Sequence, residues 1–141
     1  PCPGGQDLYA HYEGEWCKYT LIQGANWSKE QKARSSVPRD NSALTFVAAA
    51  QAIYSTGGAR NFRIVTSCER YCIRTDQWFP APNLNVARFC HSSCVQGRFL
   101  FVFCGINSND GYLNSIEQLD TEADTSGRAT QWNLISVSPD V

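Results

Sequence analysis

Short apolar runs alternate with polar breaks along most of the chain, and two stretches have the same order of runs. In the first stretch the runs are 43–47 (ALTFV), 53–58 (IYSTGG) and 67–71 (SCERY), and in the second they are 88–92 (RFCHS), 99–105 (FLFVFCG) and 115–120 (SIEQLD). Apolar runs of this length, bounded by turn residues, are typical of β-strands. No segment has long helical periodicity, so the pattern predicts an all-β fold.

The two stretches form a repeat of nearly constant spacing. Arg39 corresponds to Arg88, Gly58 to Gly105, Ser67 to Ser115 and Trp78 to Trp132, at separations of 49, 47, 48 and 54 residues. A period of about 50 residues with four short strands in each unit is typical of a β-propeller blade. The sequence therefore predicts blades of four antiparallel strands, with two to three blades in this chain.

At these positions, over about residues 28–132, the chain resembles the kelch-repeat family. A kelch repeat has an apolar strand after an arginine, a second strand that ends in two glycines, a third strand with a Ser-x-Glu-x-Tyr-like pattern, and a tryptophan on the fourth. One repeat matches at Gly57, Gly58, Glu69, Tyr71 and Trp78; the next matches at Gly105, Glu117 and Trp132, whereas Cys104 replaces the first glycine and Leu119 the aromatic residue. The resemblance implies an incomplete kelch-type propeller.

The repeat divides the chain into four expected parts. Residues 1–27 are predicted to be the outer strands of a preceding blade, 28–78 and 79–132 one kelch blade each, and 133–141 the start of the next connection. Strands are expected at 8–12 and 16–22. Good helix formers in 28–34 favour a short helical turn, and 121–130 is predicted to be a polar loop between the third and fourth strands.

The number of repeats favours a piece of something larger. Closed propellers typically have four to eight blades, and an open arc of blades leaves apolar faces and strand edges uncovered. The chain begins with Pro1 and contains no methionine. We therefore expect it to be part of a longer chain, or of an assembly that supplies the missing blades.

Most recurring residues are interpreted as structural. The glycines allow a positive φ and a close approach of neighbouring blades, the tryptophans are expected to pack between blades, and the third-strand glutamates are expected to accept hydrogen bonds from a neighbouring loop. The predicted structural residues are Gly57, Gly58, Gly105, Glu69, Tyr71, Glu117, Trp27, Trp78 and Trp132.

Partner binding is predicted at one rim of the propeller. In an antiparallel blade, the start of the first strand and the end of the second lie at the same rim, where the resemblance implies that kelch propellers commonly bind partner proteins. The predicted partner-binding residues are Arg39, Arg60, Asn61, Arg88, Asn107 and Asp110. The hypothesis is that the arginines recognise an acidic peptide; the alternative is that they are solvated loop residues bonded to local carbonyls.

Composition limits the function classes. Twelve basic and 13 acidic residues give a formal net charge of −1, and no basic cluster indicates a nucleic-acid or membrane-surface partner. No apolar run approaches the ~20 residues of a membrane helix. The predicted partners are therefore other proteins, bound through rim loops or blade edges.

The seven cysteines do not form an obvious framework. Cys68 and Cys72 are four apart in a predicted strand, as are Cys90 and Cys94, and strand positions four apart are roughly 13 Å distant. This excludes a disulfide or a shared zinc within either pair. The odd count and the apolar surroundings favour reduced, buried thiols in the cytoplasm, and a Cys94–Cys104 bond across a hairpin is the alternative.

No catalytic constellation is identifiable. His91 follows Cys90, but no third group that would orient a Cys/His nucleophile is recognisable, so a packed or mouth-facing histidine is favoured. We expect a non-catalytic scaffold without cofactors or metal, in a cytoskeletal or ciliary assembly. The resemblance also implies alternatives, namely a propeller enzyme with a metal site at its central mouth, a substrate adaptor of a ubiquitin ligase, or a secreted kelch protein with disulfides.

Overall fold

The computed structural model describes residues 7–12, 15–23 and 26–135, which form an all-β structure of antiparallel sheets. A three-stranded sheet comes first in the chain, with order β1-β2-β3. Its strands are β1 (Asp7–Tyr12), β2 (Glu15–Gln23) and β3 (Asn26–Gln31). The strands predicted at 8–12 and 16–22 are therefore present, and their assignment to a preceding blade remains a prediction.

Two four-stranded sheets follow, and each is built in the same way. The first sheet contains β4 (Ala43–Val47), β5 (Ala52–Thr56), β8 (Cys68–Cys72) and β9 (Gln77–Ala81), in that order. The second contains β10 (Ser92–Gln96), β11 (Phe99–Phe103), β14 (Ile116–Asp120) and β15 (Asn133–Ile135). Each sheet is thus a meander of four strands, as the repeat predicted.

A short hairpin interrupts the connection between the second and third strands of each sheet. In the first sheet it is formed by β6 (Ala59–Arg60) and β7 (Arg63–Ile64), and in the second by β12 (Ile106–Asn107) and β13 (Gly111–Tyr112). We call these two the rim hairpins. Isolated bridges between Asp40 and Ala59, and between Phe89 and Ile106, tie each hairpin to the segment that precedes its own sheet.

The core lies between successive sheets. One cluster joins residues of the first and second sheets, among them Val47, Tyr54, Leu100, Leu119 and Trp132. The other joins the three-stranded sheet to the first sheet. The first strands β4 and β10 lie side by side, and the Thr45 hydroxyl is hydrogen-bonded to that of Ser93. The sheets therefore stack face to face in chain order.

Trp78 and Trp132 take equivalent places, whereas Trp27 does not. Each of the first two indoles donates a hydrogen bond at 2.8 Å to a carbonyl of the segment before its own sheet, Ala33 for Trp78 and Pro82 for Trp132. Both also pack between sheets. Trp27 lies on β3 and is 51% exposed, so the prediction that it packs like the other two is wrong.

Several local predictions need correction. Residues 28–31 continue β3 instead of forming a helical turn, because their backbone pairs with β2 in an antiparallel ladder. Part of the predicted loop 121–130 is a helix, α1 (Thr121–Thr125), whose first turn is capped by the Asp120 carboxylate. Cys90 lies outside β10 with a φ of 52°, so only Cys94 of that pair is in a strand.

Candidate functional site

A buried arginine and a buried glutamate hold together the second sheet at the rim that carries its hairpin. The Arg88 guanidinium donates to the Cys104 carbonyl at 3.0 Å, to the Ser115 carbonyl at 3.1 Å and to Glu117 Oε1 at 3.0 Å. Both charged side chains are fully buried. Glu117 also accepts bonds from the backbone N–H groups of Asn85 and Val86, at 2.7 and 3.0 Å. Arg88 therefore ties the end of β11 to the start of β14.

The first sheet has the same network in a less enclosed form. Arg39 donates to the carbonyls of Gly57 and Ser67, and its NH2 group lies 3.4 Å from Glu69 Oε2. The remaining hydrogen bonds to the Glu69 carboxylate come from the hydroxyls of Ser35 and Ser36 instead of from backbone N–H groups. Bonds from a neighbouring loop to both glutamates match the sequence-based expectation.

The prediction that Arg39 and Arg88 bind a partner is corrected by these contacts. Their side chains are 3% and 0% exposed, respectively, and their terminal NH1 and NH2 groups donate to carbonyls, carboxylates and the Ser115 hydroxyl inside the protein. An arginine that is already bonded in this way presents no donors to an external peptide. These two arginines are therefore structural, which is close to the alternative of arginines bonded to local carbonyls, except that they are not solvated.

Gly57 and Gly58 bring the first sheet against the second. Gly57 has a φ of 56°, and a Cβ there would stand 2.6 Å from the Arg88 carbonyl oxygen. Gly58 donates its N–H to that same oxygen at 2.8 Å. In the second sheet Cys104 replaces Gly57 and adopts the same conformation, with a φ of 60°, while Gly105 retains a φ of 92°. The glycine pair thus permits a backbone contact between sheets.

His91 is packed at the junction of the two sheets. Its Nε2 lies 3.0 Å from the Thr56 hydroxyl, and the residue is 8% exposed. Burial lowers the pKa of His91 to about 4, and the positive charge of Arg88 lowers it further in the same direction. The imidazole is therefore neutral at pH 7. This agrees with the packed histidine favoured by the sequence.

The rim hairpin of the first sheet ends in a fully exposed aromatic residue. Arg60 pairs with Arg63, and the two residues between them, Asn61 and Phe62, have φ values of 49° and 62°. Two positive φ angles in a two-residue loop characterise the type I′ turn, which favours Asn-Gly. Phe62 occupies the position of that glycine and is 107% exposed. A bulky residue in this conformation is uncommon and unfavourable.

Two arginines flank Phe62 without partners. Arg60 and Arg63 are exposed, and neither forms an ion pair within the described part of the chain. The tip of the hairpin is therefore apolar at its centre and positively charged on both sides.

In the rim hairpin of the second sheet, the Asn107 side chain forms hydrogen bonds with other residues of the hairpin. Asn107 Oδ1 accepts the backbone N–H groups of Asn109 and Asp110 at 3.0 and 2.7 Å, and its Nδ2 donates to the Ala87 carbonyl and to Asp110 Oδ2, each at 3.0 Å. Tyr112 on β13 is 93% exposed. Asn107 is thus engaged in shaping the loop, while Asp110 and Tyr112 face solvent.

Phe62 borders two grooves at this rim. One groove of about 530 Å³ lies towards Asp40 and has an apolar lining of Ala59, Ile64, Phe89 and Ile106. The other, of about 720 Å³, runs between the two rim hairpins and is lined largely by polar groups, including Asn107 and Asp110. Of the predicted residues, Asn61 lines the first groove and Asn107 and Asp110 line the second, while Arg60 lies next to Asn61 on the first hairpin. Phe62, which lines both grooves, is the residue that sequence reasoning missed.

A local signal for Phe62 was present in the sequence. Arg60-Asn61-Phe62-Arg63 has asparagine at the first position of a two-residue loop, which is the common start of a hairpin turn. The missing glycine hid the turn, and nothing in a one-dimensional pattern distinguishes an exposed phenylalanine from a core one.

The described residues contain neither a metal site nor a disulfide. Among residues 7–12, 15–23 and 26–135, no group of three His, Cys, Asp or Glu side chains is arranged to hold a metal ion. The six cysteines in these ranges are unpaired. Cys17 and Cys68 are buried, whereas Cys90, Cys94 and Cys104 are exposed, so the prediction of buried thiols is wrong for these three. Cys94 pairs with Phe101 across the β10–β11 ladder, so it does not face Cys104. In the same part of the chain, no helix is long and apolar enough to cross a membrane.

The fold is similar to that of a solved protein, YjhT. The similarity has a TM-score of 0.78 at 15% sequence identity and covers 99% of this chain and 50% of the YjhT chain. The chain therefore spans half the length of that structure, and at this identity the likeness concerns the fold alone. No protein-family model matches the chain, and no curated protein matches its sequence.

Proposed function

We propose that this chain is part of a kelch-type β-propeller that acts as a non-catalytic interaction module and binds partner proteins through its rim hairpins. The repeated Arg–Glu network, the two four-stranded meanders and their face-to-face stacking support the propeller. The single observation that carries the binding function is Phe62. It is fully exposed, in a backbone conformation that disfavours it.

Phe62 adopts an unfavourable backbone conformation, and burial of its side chain does not offset the free energy that this conformation costs. A left-handed conformation costs a residue with a Cβ roughly 1–2 kcal/mol, and Phe62 recovers none of this by burial, since its side chain is fully exposed. Strained residues of this kind cluster at binding and active sites, and aromatic residues are enriched at interface hot spots. A partner that covers the ring would supply the compensating burial.

The charges around the ring define the partner. Arg60 and Arg63 stand exposed and unpaired beside Phe62 within the described ranges, and arginine favours bidentate bonds to carboxylates. The partner we propose is a peptide segment with an aliphatic or aromatic side chain next to Asp or Glu. Its apolar side chain would enter the groove lined by Ala59, Ile64 and Phe89.

The proposal is tested by selecting peptides from a random displayed library on the whole chain. The enriched sequences are expected to place an acidic residue beside an apolar one. Binding is expected to weaken about 30-fold or more in Phe62→Gly, the size of a 2 kcal/mol hot spot, and in Arg60→Ala/Arg63→Ala with a loss of salt dependence. Phe62→Gly also relieves the turn, so lost binding would not reflect misfolding.

A matched control is Leu134→Gly, which removes another exposed apolar side chain away from the rim hairpins. The proposal fails if the enriched peptides lack acidic residues, or if Phe62→Gly binds them as tightly as the unaltered chain. It also fails if Leu134→Gly weakens binding equally.

We also propose that the protein functions in the cytoplasm, in a cytoskeletal or ciliary assembly. The support comes from the cysteines. Cys68 is buried, and burial raises its pKa to about 12, so this thiol is unreactive, while Cys90, Cys94 and Cys104 are exposed and unpaired. Exposed free thiols persist in reducing compartments. Thiol titration of the native protein in denaturant tests this, because fewer than seven free thiols would indicate disulfides.

A further inference from the structure

The rim hairpin of the first sheet has one edge that is joined to its own sheet and one edge that borders a groove. Asp40 and Ala59 exchange backbone hydrogen bonds, and each N–H donates to the carbonyl of the other residue at 2.8 Å. The β6 edge is therefore paired with the segment that precedes the sheet. On the β7 edge, Arg63 and Ile64 line the groove of about 720 Å³ between the two rim hairpins.

The ladder within this hairpin determines where the backbone groups of Ile64 point. Val65 donates its N–H to the Gly58 carbonyl at 2.9 Å, so these two residues form a hydrogen-bonded pair. The two kinds of pair alternate along an antiparallel ladder, so the next pair, Ala59 and Ile64, is not hydrogen-bonded to each other. The N–H and C=O of Ile64 therefore point away from β6.

These two groups of Ile64 have no hydrogen-bond partner in the described part of the chain. Ile64 is half-buried, and it lines both of the grooves that Phe62 borders. Unpaired N–H and C=O groups on the edge of a strand can pair with the backbone of another chain. The β7 edge therefore offers one donor and one acceptor to an extended segment.

The rim hairpin of the second sheet has the same kind of edge at a different place. Phe89 and Ile106 exchange backbone hydrogen bonds at 3.0 and 3.1 Å, and Leu113 donates to the Gly105 carbonyl at 2.8 Å. By the same alternation, the N–H and C=O of Tyr112 point away from β12, because Tyr112 is paired with Ile106. Tyr112 lines neither of the two grooves, so it provides a natural control for Ile64.

The opposite wall of the groove is polar. It is formed by residues 85–87 and 107–110, and Ser108, Asn109 and Asp110 are exposed there. An extended peptide has N–H and C=O groups on both of its edges. A groove with an unpaired strand edge on one wall and hydroxyl, amide and carboxylate groups on the other therefore suits a peptide backbone.

The residues along β7 define the side chains of such a segment. Directly opposite side chains of paired strands lie on the same face and contact each other. The residue opposite Ile64 is therefore expected to be apolar, since it shares a face with Ile64 and Ala59, which line the apolar groove. The next residue lies beside Arg63, which is exposed and forms no ion pair among the described residues. An acidic side chain complements it.

We propose that the partner segment binds as an added strand between the two rim hairpins, with the backbone of one of its residues hydrogen-bonded to the N–H and C=O of Ile64. That residue is apolar, and its neighbour in the segment is acidic. This inference rests on the proposed function, and it adds the conformation of the bound segment and its backbone contact with the chain.

The experiment uses a peptide selected on the whole chain, synthesised with a single N-methyl group at each position in turn. An N-methyl group removes one donor and blocks one edge of the peptide. Affinity is expected to fall about tenfold or more at the residue that pairs with Ile64, which is the size of one backbone hydrogen bond. A smaller loss is expected at its two neighbours, whose N–H groups point to the other edge.

The same contact is removed from the protein by Ile64→Pro. Proline is tolerated on an edge strand where the N–H faces outwards, so this variant is expected to fold, and circular dichroism checks that it does. It is expected to bind the peptide about tenfold more weakly than Ile64→Ala, which shortens the side chain but keeps the N–H. The matched control is Tyr112→Pro, which removes the equivalent N–H of the other hairpin and is expected to bind as tightly as the unaltered chain.

Equal losses at every N-methyl position overturn the added strand, and so does equal affinity of Ile64→Pro and Ile64→Ala. A Tyr112→Pro variant that binds as weakly as Ile64→Pro overturns it too. In each of these cases the proposed function stands if Phe62→Gly still weakens binding. A selection that yields no binding peptide overturns both proposals. If Ile64→Pro does not fold, the N-methyl series decides alone.

Discussion

The two four-stranded sheets share one plan but not one environment. Both use an arginine before the first strand, a positive-φ pair after the second and a glutamate on the third. Among the described residues, the first sheet lies between two neighbouring sheets, whereas the second has a neighbouring sheet on one face only. Each sheet therefore forms the Arg–Glu network from its own residues. The differences between the two networks depend on what packs against each sheet.

The difference is clearest at the two ion pairs. Arg88 and Glu117 have no exposed side-chain surface, and Glu117 is completed by the backbone N–H groups of Asn85 and Val86. Arg39 and Glu69 keep 3% and 6% exposure, and hydroxyls complete the carboxylate. Hydroxyls can turn to other partners, whereas backbone donors in a fixed loop cannot. We therefore expect the second sheet to depend more on its ion pair.

The largest predicted effect is the difference in stability lost when Glu117 or Glu69 is replaced by alanine. Glu117→Ala leaves Arg88 buried without its counter-ion and is expected to lower the free energy of unfolding by about 3–5 kcal/mol. Glu69→Ala is expected to lower it by about 1–3 kcal/mol, because water and the two serines can reach Arg39 more readily. Urea denaturation of both variants measures this, and equal losses would contradict the comparison.

The next effect concerns pH and the junction of the sheets. The pKa of His91 is lowered to about 4 in the folded protein, against about 6.5 when unfolded. Between these values the unfolded chain binds the extra proton, so stability falls as pH decreases from 6.5 to 4. The loss is expected to reach about 3 kcal/mol.

His91→Gln serves as the control for this pH dependence, since its amide can still bond to Thr56 but does not titrate. Carboxylates titrate in both proteins, so the measured quantity is the difference between their unfolding free energies across pH 4 to 7. A constant difference over that range would show that His91 does not titrate as described.

Exchanging the residues at the equivalent positive-φ positions should give effects of opposite sign. Gly57→Ala places a Cβ 2.6 Å from the Arg88 carbonyl oxygen at a φ of 56°, and is expected to lower the unfolding free energy by about 2 kcal/mol or more. The measurement is the denaturant midpoint at constant slope. An unchanged midpoint would mean that the two sheets separate easily at this point.

The smallest effect is the reverse exchange in the second sheet. Cys104→Gly removes a Cβ from a residue with a φ of 60° and is expected to raise the unfolding free energy by about 1 kcal/mol. Thermal unfolding of the single variant and of the Gly57→Ala/Cys104→Gly double variant tests whether the two changes add. A destabilised Cys104→Gly variant would show that the thiol makes a contact that outweighs the strain.

The repeat pattern predicted correctly those features that depend on residues close together in the chain. The strand at Ala43–Val47 and the paired positions of Gly58 and Gly105 follow from alternation and spacing alone. The helix Thr121–Thr125 was not predicted: its cap at Asp120 is local, but its packing depends on residues far away in the chain. Asp124 accepts hydrogen bonds from Tyr54 at 2.7 Å and from Arg70 at 3.2 Å, both in the other four-stranded sheet.

The candidate site residues divide in the same way. Strand order predicts the position of some of them, whereas contacts with residues far away in the chain decide the orientation of the others. Arg60, Asn61, Asn107 and Asp110 were placed at one rim from strand order, and the structure has all four on the two rim hairpins, where Asn61, Asn107 and Asp110 line two neighbouring grooves. Arg39 and Arg88 were placed at the same rim but turn inwards. Their partners, Glu69 and Glu117, are 30 and 29 residues away. The repeat marks both members of each pair, but a repeat spacing does not show that two residues bond to each other.

The sequence by itself determined that the chain is all-β, that it repeats every 50 residues or so, and that Gly57, Gly58 and Gly105 have a glycine-like conformation, because these properties depend on neighbours along the chain. The tertiary structure decided which polar groups are buried, which aromatic residues are exposed and which sheet face is left open. Burial depends on what packs across a sheet, and residues far apart in the chain supply that packing.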